Sequence, residues 1–144
     1  MPTPTHSSDA SVITALDDTG HVAILSAPFP GHGGDYLFLP GGRREDGEDA
    51  LTCARRELKE EAGLTATSWT PLGSYAMTLA STARVHLFLA QNLTLGPQEL
   101  TSSETDFTLD WHPLHSALDA AEQGHFLLPA GPLALLLTAR LVDN

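Results

Sequence analysis

GRREDGEDALTCARRELKEEAGL, residues 42–64, is the most informative stretch of this 144-residue chain. It begins with a glycine, reaches a glutamate after five further residues and an Arg-Glu-Leu triplet after seven more, and closes with Glu-Glu-Ala-Gly-Leu. At ordinary residue frequencies, such a set of ten positions arises by chance less than about once in ten billion starting points. The spacing is that of a helix with several carboxylates on one face, just after a glycine turn.

The spacing predicts a helix from about Asp49 to Ala62. At about 100° per residue, Glu57, Glu60 and Glu61 share an arc of about 100° on this helix. Gly63 is the expected left-handed cap at its end. Beside the arc runs an apolar stripe that would bury against a sheet, formed by Leu51, Ala54, Leu58 and Ala62.

Three acidic side chains on one helical face have an ordinary explanation, a solvated surface next to a core stripe. That explanation accounts neither for the Gly41-Gly42 pair ahead of the helix nor for Arg56 beside Glu57. Like charges at this spacing also repel by about a few tenths of a kcal/mol per pair, and a divalent cation would remove the repulsion. Because Mg²⁺ prefers carboxylates, waters and phosphate oxygens, the segment predicts a metal site.

Composition favours one globular domain. The chain is 42% hydrophobic and 17% charged, which is typical of folded rather than disordered proteins. Residues 1–10, MPTPTHSSDA, are expected to form a flexible arm, and residues 11–144 a single domain. No apolar run reaches the roughly 18 residues that span a bilayer, the arm lacks a signal-peptide pattern, and one cysteine allows no intrachain disulfide. We therefore expect a cytoplasmic protein without membrane contact.

The net charge of −11 argues against a nucleic-acid-binding surface. Five of the seven basic residues lie inside the segment at positions 42–64, so positive charge is concentrated where the acidic arc lies. An anionic small-molecule substrate needs local positive charge. Arg43 inside the segment and Arg84 outside it are the candidate substrate contacts, although a surface ion pair is the alternative for Arg84.

The segment resembles the signature of the Nudix hydrolases, pyrophosphohydrolases that act on a nucleoside diphosphate linked to another group. The resemblance implies an α/β (α+β) fold, a sandwich of helices around a mixed central sheet. The order of predicted elements agrees, because strands lie on both sides of one central helix and a helix closes the chain. A homodimer remains open, since family members often form one.

The resemblance also implies roles for the acidic arc. Glu57 and Glu61 would be the principal Mg²⁺ ligands, with Mn²⁺ as the alternative ion. Glu60 would join them when a second or third ion binds, and the Gly41 carbonyl is a further candidate ligand. Gly42 and Gly63 would be motif residues that shape the turn and the helix end.

The implied reaction is attack of water on a phosphorus of a diphosphate linkage. Arg56 would orient a catalytic carboxylate, and Glu48 is its expected partner or an outer ligand. The general base is open between Glu61 within the motif and an acid in a later loop, Glu104 or Asp106. Those two residues could equally be surface acids.

The remaining chain predicts short strands and two helices. Ser11–Leu16 and His21–Ser26 are expected to form a hairpin, joined by Asp-Asp-Thr-Gly. The Phe29-to-Tyr36 loop is a candidate wall of a substrate pocket. Further expected elements are strands at 36–39, 68–77, 84–91 and 106–112, helices at 113–123 and 132–142, and irregular chain at 92–103.

The substrate is less well specified than the reaction. A Nudix enzyme specific for ADP-ribose tends to carry a proline 15 or 16 residues past the motif, where this chain has Leu79 and Ala80. The run from Arg84 to Leu93, followed by an acidic loop and Trp-His-Pro-Leu, nevertheless resembles ADP-ribose pyrophosphatases. We expect hydrolysis of ADP-ribose or a nucleotide sugar; the alternatives are a nucleoside triphosphate pyrophosphohydrolase that cleanses the nucleotide pool, or a catalytically silent nucleotide-sensing module.

Overall fold

The computed structural model describes residues 8–142, and within them the chain forms seven β-strands and three α-helices. Two short 3₁₀ turns lie at Pro30–His32 and Ser102–Glu104. The strands are β1 (Ala10–Ala15), β2 (His21–Phe29), β3 (Gly34–Phe38), β4 (Gly41–Arg43), β5 (Leu64–Ala76), β6 (Arg84–Leu95) and β7 (Thr108–Pro113). The helices are α1 (Ala50–Ala62), α2 (Leu114–Glu122) and α3 (Ala130–Val142).

A four-stranded mixed sheet forms the centre of the fold, in the order β4-β1-β6-β5. It is mixed because β1 runs parallel to β6, whereas the β1–β4 and β5–β6 pairs are antiparallel. Helix α1 packs against β1, β4 and β5, and α3 packs against β1, β6 and β5. The core residues show that the two helices cover opposite faces, so the predicted sandwich with a mixed sheet is confirmed.

Alternation along β6 builds these two core layers. Leu87 and Leu89 belong to the cluster on the α3 side, whereas Phe88 and Ala90 belong to the cluster that includes Ala54 of α1. Successive side chains of a strand point to opposite faces. A strand segment buried on both faces is therefore apolar at every position, which is why residues 87–90 of β6 lack polar alternation.

A second, antiparallel sheet of three strands has the order β3-β2-β7. The predicted hairpin between the first two strands is wrong as a pairing, although both strands exist. Strand β1 lies between β4 and β6, and β2 lies between β3 and β7, so only an isolated bridge from Leu16 to Val22 joins them. The Asp17 carboxylate accepts the backbone N–H groups of Thr19 and His21 and closes the turn that separates the two sheets.

Helix α1 begins and ends where the sequence predicts. The Asp49 carboxylate accepts the Thr52 N–H at 2.8 Å as the N-terminal cap. Gly63 has φ of 69°, the left-handed conformation that ends the helix. A side chain at Gly63 would also collide with the backbone of Gly96 and Pro97, because the loop after β6 packs directly on this turn.

Strand β4 was not predicted, and β6 continues to Leu95 through chain that we expected to be irregular. Of the expected arm, residues 1–10, the structure describes only residues 8–10, because residues 1–7 lie outside the described range. Asp9 is only 4% exposed. Its carboxylate accepts the Arg84 N–H at 3.0 Å and lies 3.2 Å from His86 Nε2.

Among residues 8–142, no helix has the length and apolar character that crossing a bilayer requires.

Candidate active site

Strand β4 presses against the middle of α1, and this contact explains the glycine pair. A Cβ atom placed on Gly42 would lie 2.6 Å from the Glu57 carboxyl carbon, inside any allowed contact. A Cβ on Gly41 would collide with the backbone of Ser11 and Val12 in the adjacent strand. The glycines are needed here for close approach, since neither has a positive φ.

One guanidinium group organises three of the motif glutamates. Arg56 donates from Nε and Nη2 to the two carboxylate oxygens of Glu48, at 2.7 and 3.0 Å. Its Nη1 donates to Glu57 at 3.0 Å and to Glu60 at 3.1 Å, and Nη2 also donates to the Arg43 carbonyl at 3.0 Å. The hydrogen bonds to Glu48 raise the pKa of Arg56 and lower that of Glu48, so this pair stays charged.

Glu57 and Glu61 are buried, unlike most carboxylates. They are 8% and 4% exposed, respectively. Burial raises the pKa of Glu57 to about 7, although the Arg56 charge opposes the shift. Burial also raises the pKa of Glu61 to about 9, even though Glu61 Oε1 accepts the Gly41 N–H at 2.9 Å. Two buried carboxylates one turn apart thus form a cluster in which Arg56 contacts Glu57, and burial disfavours the charged form of both carboxylates.

Glu104 joins this cluster from the loop before β7. Its carboxyl lies close enough to the two motif carboxylates to raise the pKa of both Glu57 and Glu61. The turn at Ser102–Glu104 fixes its position, because Glu104 Oε1 accepts the Thr101 N–H at 3.0 Å in a capping box. Asp106 is exposed, whereas Glu104 is half-buried. The fold thus brings Glu104 to the motif carboxylates.

The two candidate substrate arginines lie in different places. Arg43 is exposed at the end of β4, and its carbonyl accepts from Arg56. The Arg84 guanidinium donates to the Ser74 hydroxyl and carbonyl, both at 2.9 Å, across the β5–β6 pair. This hydrogen bonding holds Arg84 on the neighbouring strand, and the ion pairs found within residues 8–142 do not include it. A substrate contact by either arginine stays a prediction.

Carboxylate oxygens are suitable ligands for a hard divalent cation. In the described part of the chain, however, no group of three acidic, histidine or cysteine side chains has the arrangement of a preformed metal site. Arg56 engages Glu57 and Glu60, and the Gly41 amide engages Glu61. Burial disfavours the charged form of Glu57 and Glu61. A bound divalent cation would stabilise that charged form, because it binds carboxylate oxygens. The Gly41 contact is made by its N–H group; the predicted role of its carbonyl is untested.

The family follows from a match to the NUDIX domain model over residues 5–129. The chain belongs to the NUDIX family. It is 31% identical over 121 residues to the ADP-ribose pyrophosphatase of Mycobacterium tuberculosis (strain ATCC 25618 / H37Rv), a match that covers 82% of this chain and 58% of that protein. It is 37% identical over 60 residues to the 8-oxo-dGTP diphosphatase of Proteus vulgaris, covering 42% of this chain and 54% of the relative.

The fold of this NUDIX chain is similar to the crystal structure of an ADP compounds hydrolase. The TM-score is 0.82 at 23% identity, with 96% of this chain and 75% of the other covered. The chain spans a little over half the length of the two curated relatives that it matches. A divalent metal requirement is general in the NUDIX family.

Glu61 gives a stability prediction for the metal-free protein. Its folded-state pKa of about 9 lies above the ordinary value of 4.5. The contribution of Glu61 to folding stability is therefore greatest below pH 4.5 and is lost as the pH rises towards 9. We expect Glu61→Gln to unfold several degrees higher than wild type at pH 8 in EDTA, corresponding to on the order of a few kcal/mol.

Thermal unfolding at pH 8 and pH 4.5 measures this difference. Near pH 4.5 the two proteins should unfold at similar temperatures, because Glu61 is then protonated in the folded wild type. A glutamine oxygen can still accept the Gly41 N–H, so the substitution keeps the local hydrogen bond. A Glu61→Gln protein less stable than wild type at pH 8 would contradict the burial argument.

Proposed function

We propose that this chain hydrolyses the diphosphate linkage of a nucleoside diphosphate derivative, with ADP-ribose or a nucleotide sugar favoured as substrate. The observation that carries the proposal is the buried pair Glu57 and Glu61, of which Arg56 holds Glu57 and the Gly41 N–H holds Glu61, with Glu104 beside them. The likeness to an ADP-ribose pyrophosphatase extends over 121 residues, against 60 for the 8-oxo-dGTP diphosphatase. This difference supports a diphosphate derivative over a triphosphate.

Glu57 and Glu61 are the residues that would hold Mg²⁺ or Mn²⁺, with Glu60 as an additional ligand. When bound, the cation neutralises phosphate charge and lowers the pKa of an attacking water. Glu104 lies next to both carboxylates from a separate loop, and we infer that it accepts the proton of the water. Glu61 remains the alternative base if Glu104 is dispensable.

Arg56 acts through the glutamates that it holds. Its two hydrogen bonds to Glu48 lock the guanidinium plane, and the same group then fixes the rotamers of Glu57 and Glu60. Carboxylates held in place before substrate arrives lose less entropy on binding it. Arg56 is thus a positioning residue, and Glu48 positions Arg56.

A product screen tests the proposed function. The 144-residue chain is incubated with ADP-ribose, nucleotide sugars, dGTP and 8-oxo-dGTP, each with Mg²⁺ and with Mn²⁺. AMP and ribose 5-phosphate from ADP-ribose support the proposal. Pyrophosphate from the triphosphates alone favours the second candidate, for which the 60-residue match to the 8-oxo-dGTP diphosphatase is the supporting observation. Nucleotide binding without any release supports a silent sensing module.

Gly42→Ala tests the close contact between β4 and α1. The added methyl group would displace the Glu57 carboxylate, and a displacement of about 1 Å at a reacting group costs about 10²-fold in rate. We expect kcat to fall by about that factor while far-UV circular dichroism stays unchanged. Gly31→Ala is the matched control, because a Cβ there meets nothing within 4 Å. Equal kcat for the two variants would contradict the predicted displacement.

A further inference from the structure

The last turn of α1 is held from outside the helix by residues 96–99, which follow β6. We call these four residues the connecting segment. A helix leaves its last carbonyl groups without partners inside the helix. The Glu60 carbonyl accepts the Glu99 N–H at 2.7 Å. The Glu61 carbonyl accepts from the Gln98 side-chain amide, also at 2.7 Å. The connecting segment therefore supplies partners for two of these carbonyls, and both belong to candidate metal ligands.

The connecting segment also packs directly on the residue that ends α1. The Gly96 N–H donates to the Gly63 carbonyl at 2.6 Å. A Cβ on Gly63 would collide with the backbone of Gly96 and Pro97, so the two stretches of chain touch with no side chain between them. The ring of Pro97 fixes its φ and reduces the number of conformations that the connecting segment can adopt.

The connecting segment leads directly to Glu104, which is five residues after Glu99. The turn before Glu104 has hydrogen bonds of its own. The Glu104 N–H donates to the Thr101 carbonyl at 3.0 Å, and the Glu104 carboxylate accepts the Thr101 N–H at 3.0 Å. One short stretch of chain thus connects the backbone of Glu61 to an acid that lies close to the Glu61 carboxylate.

Gln98 is the side chain through which the connecting segment binds α1. The contacts made by Gly96 and Glu99 come from their backbone N–H groups, which remain when another residue is changed. Gln98 is exposed, so a substitution there removes no core packing. A change at Gln98 therefore removes one hydrogen bond to the Glu61 carbonyl and little else.

Resting on the proposed function, we propose that Gln98 is a positioning residue that keeps Glu104 beside Glu61 by tying the connecting segment to the end of α1. Without this hydrogen bond, the loop keeps its turn at Glu104 and shifts as a unit relative to α1. A misplaced proton acceptor slows the chemical step, because the reacting groups are no longer aligned. Substrate binding is unchanged, so the loss falls on kcat rather than on KM.

Two variants test the Gln98 contact. Gln98→Ala removes the side chain, and Gln98→Glu replaces the amide with a carboxylate that cannot donate when ionised. For the best substrate from the product screen at pH 8, we expect kcat to fall about ten-fold or more in both, with KM within about two-fold of wild type. Gln123→Ala is the matched control, because Gln123 is an exposed glutamine at the end of α2, and it should keep both values.

A double-mutant cycle with Glu104→Ala separates positioning of Glu104 from a general loss of structure. Gln98→Ala should lower kcat about ten-fold in the wild-type background and less than about two-fold when the Glu104 carboxylate is already absent. An equal loss in both backgrounds would show that Gln98 does not act through Glu104. That result, or a normal kcat in Glu104→Ala alone, would overturn the positioning role.

Amide hydrogen exchange of the metal-free protein, followed by NMR, gives a readout without turnover. In Gln98→Ala, the Gly96 and Glu99 amides should exchange about five-fold faster, because they share the weakened contact with α1. The Glu104 amide, which is bonded within its own turn, should keep its wild-type rate. Gln123→Ala should change none of these rates.

The outcomes distinguish the role of Gln98 from the proposed activity. If wild type turns over substrate, wild-type kcat or wild-type exchange in Gln98→Ala would refute the positioning role and leave the hydrolase standing. If wild type releases no product, faster exchange in Gln98→Ala would sustain the tie to α1 and refute the hydrolase. Unchanged exchange in such an inactive chain would refute both.

Discussion

Glu57→Gln is expected to lower kcat by about 10³-fold or more while leaving the fold intact. The substitution keeps the shape of the side chain and removes its charge, and charge stabilisation at a metal-assisted phosphoryl centre contributes several kcal/mol. Glu57 is central to the site, because it accepts from Arg56 at 3.0 Å, is 8% exposed, and lies against Gly42. Steady-state turnover of the best substrate from the product screen measures the effect.

The burial of Glu57 makes this variant a clean test. Burial raises the pKa of Glu57 to about 7, so the charged carboxylate costs folding free energy as the pH rises from the ordinary 4.5 to 7. Glutamine removes that cost, and the metal-free variant should unfold no lower than wild type at pH 8. Glu122→Gln makes the same chemical change at the exposed end of α2 and should retain full activity. Normal metal-dependent turnover in a folded Glu57→Gln protein would remove this residue from the mechanism.

The sequence predicts α1 well because every signal for it is local. Its apolar stripe, its start near Asp49 and its Gly63 terminus all lie within the helix or next to it, and the structure agrees with each, although the capping role of Asp49 was not predicted. The Arg56–Glu60 contact follows from the same geometry, since Glu60 lies one turn ahead of Arg56. Local periodicity is sufficient for both.

Strand pairing was not predictable from the same kind of signal. The turn at Asp17 has the composition of a hairpin, yet β1 pairs with Gly41–Arg43 and with β6, which are distant in sequence. An apolar strand sequence indicates that the strand is buried, but it does not indicate which strands pair with it. Asp9 was missed for a related reason, because its contacts with Arg84 and His86 come from β6 and nothing in its own neighbourhood signals them.

The general base is the other point where sequence reasoning stopped. Glu104 and Asp106 are two residues apart in one polar loop, and the local pattern that separates them, the Thr101-to-Glu104 capping box, does not show which carboxylate reaches α1. Tertiary structure distinguishes them, because the Thr101 capping box turns Glu104 towards Glu61 while Asp106 stays exposed. A choice between two neighbouring acids therefore depends on a turn whose position relative to α1 is set by the fold.

Glu104→Ala is accordingly expected to lower kcat by about 10² to 10⁴-fold, the usual contribution of a general base. Asp106→Ala, its matched control in the same loop, should keep kcat within about two-fold of wild type. The split between kcat and KM is informative, because loss of a proton acceptor lowers kcat, whereas loss of a substrate contact shared by ground and transition states raises KM. Glu104→Gln keeps the size and the Thr101 contact while removing the basic oxygen, so it should be as impaired as the alanine variant if Glu104 takes the proton. Near-wild-type kcat in both Glu104 variants would move the base to Glu61, the remaining buried carboxylate next to it.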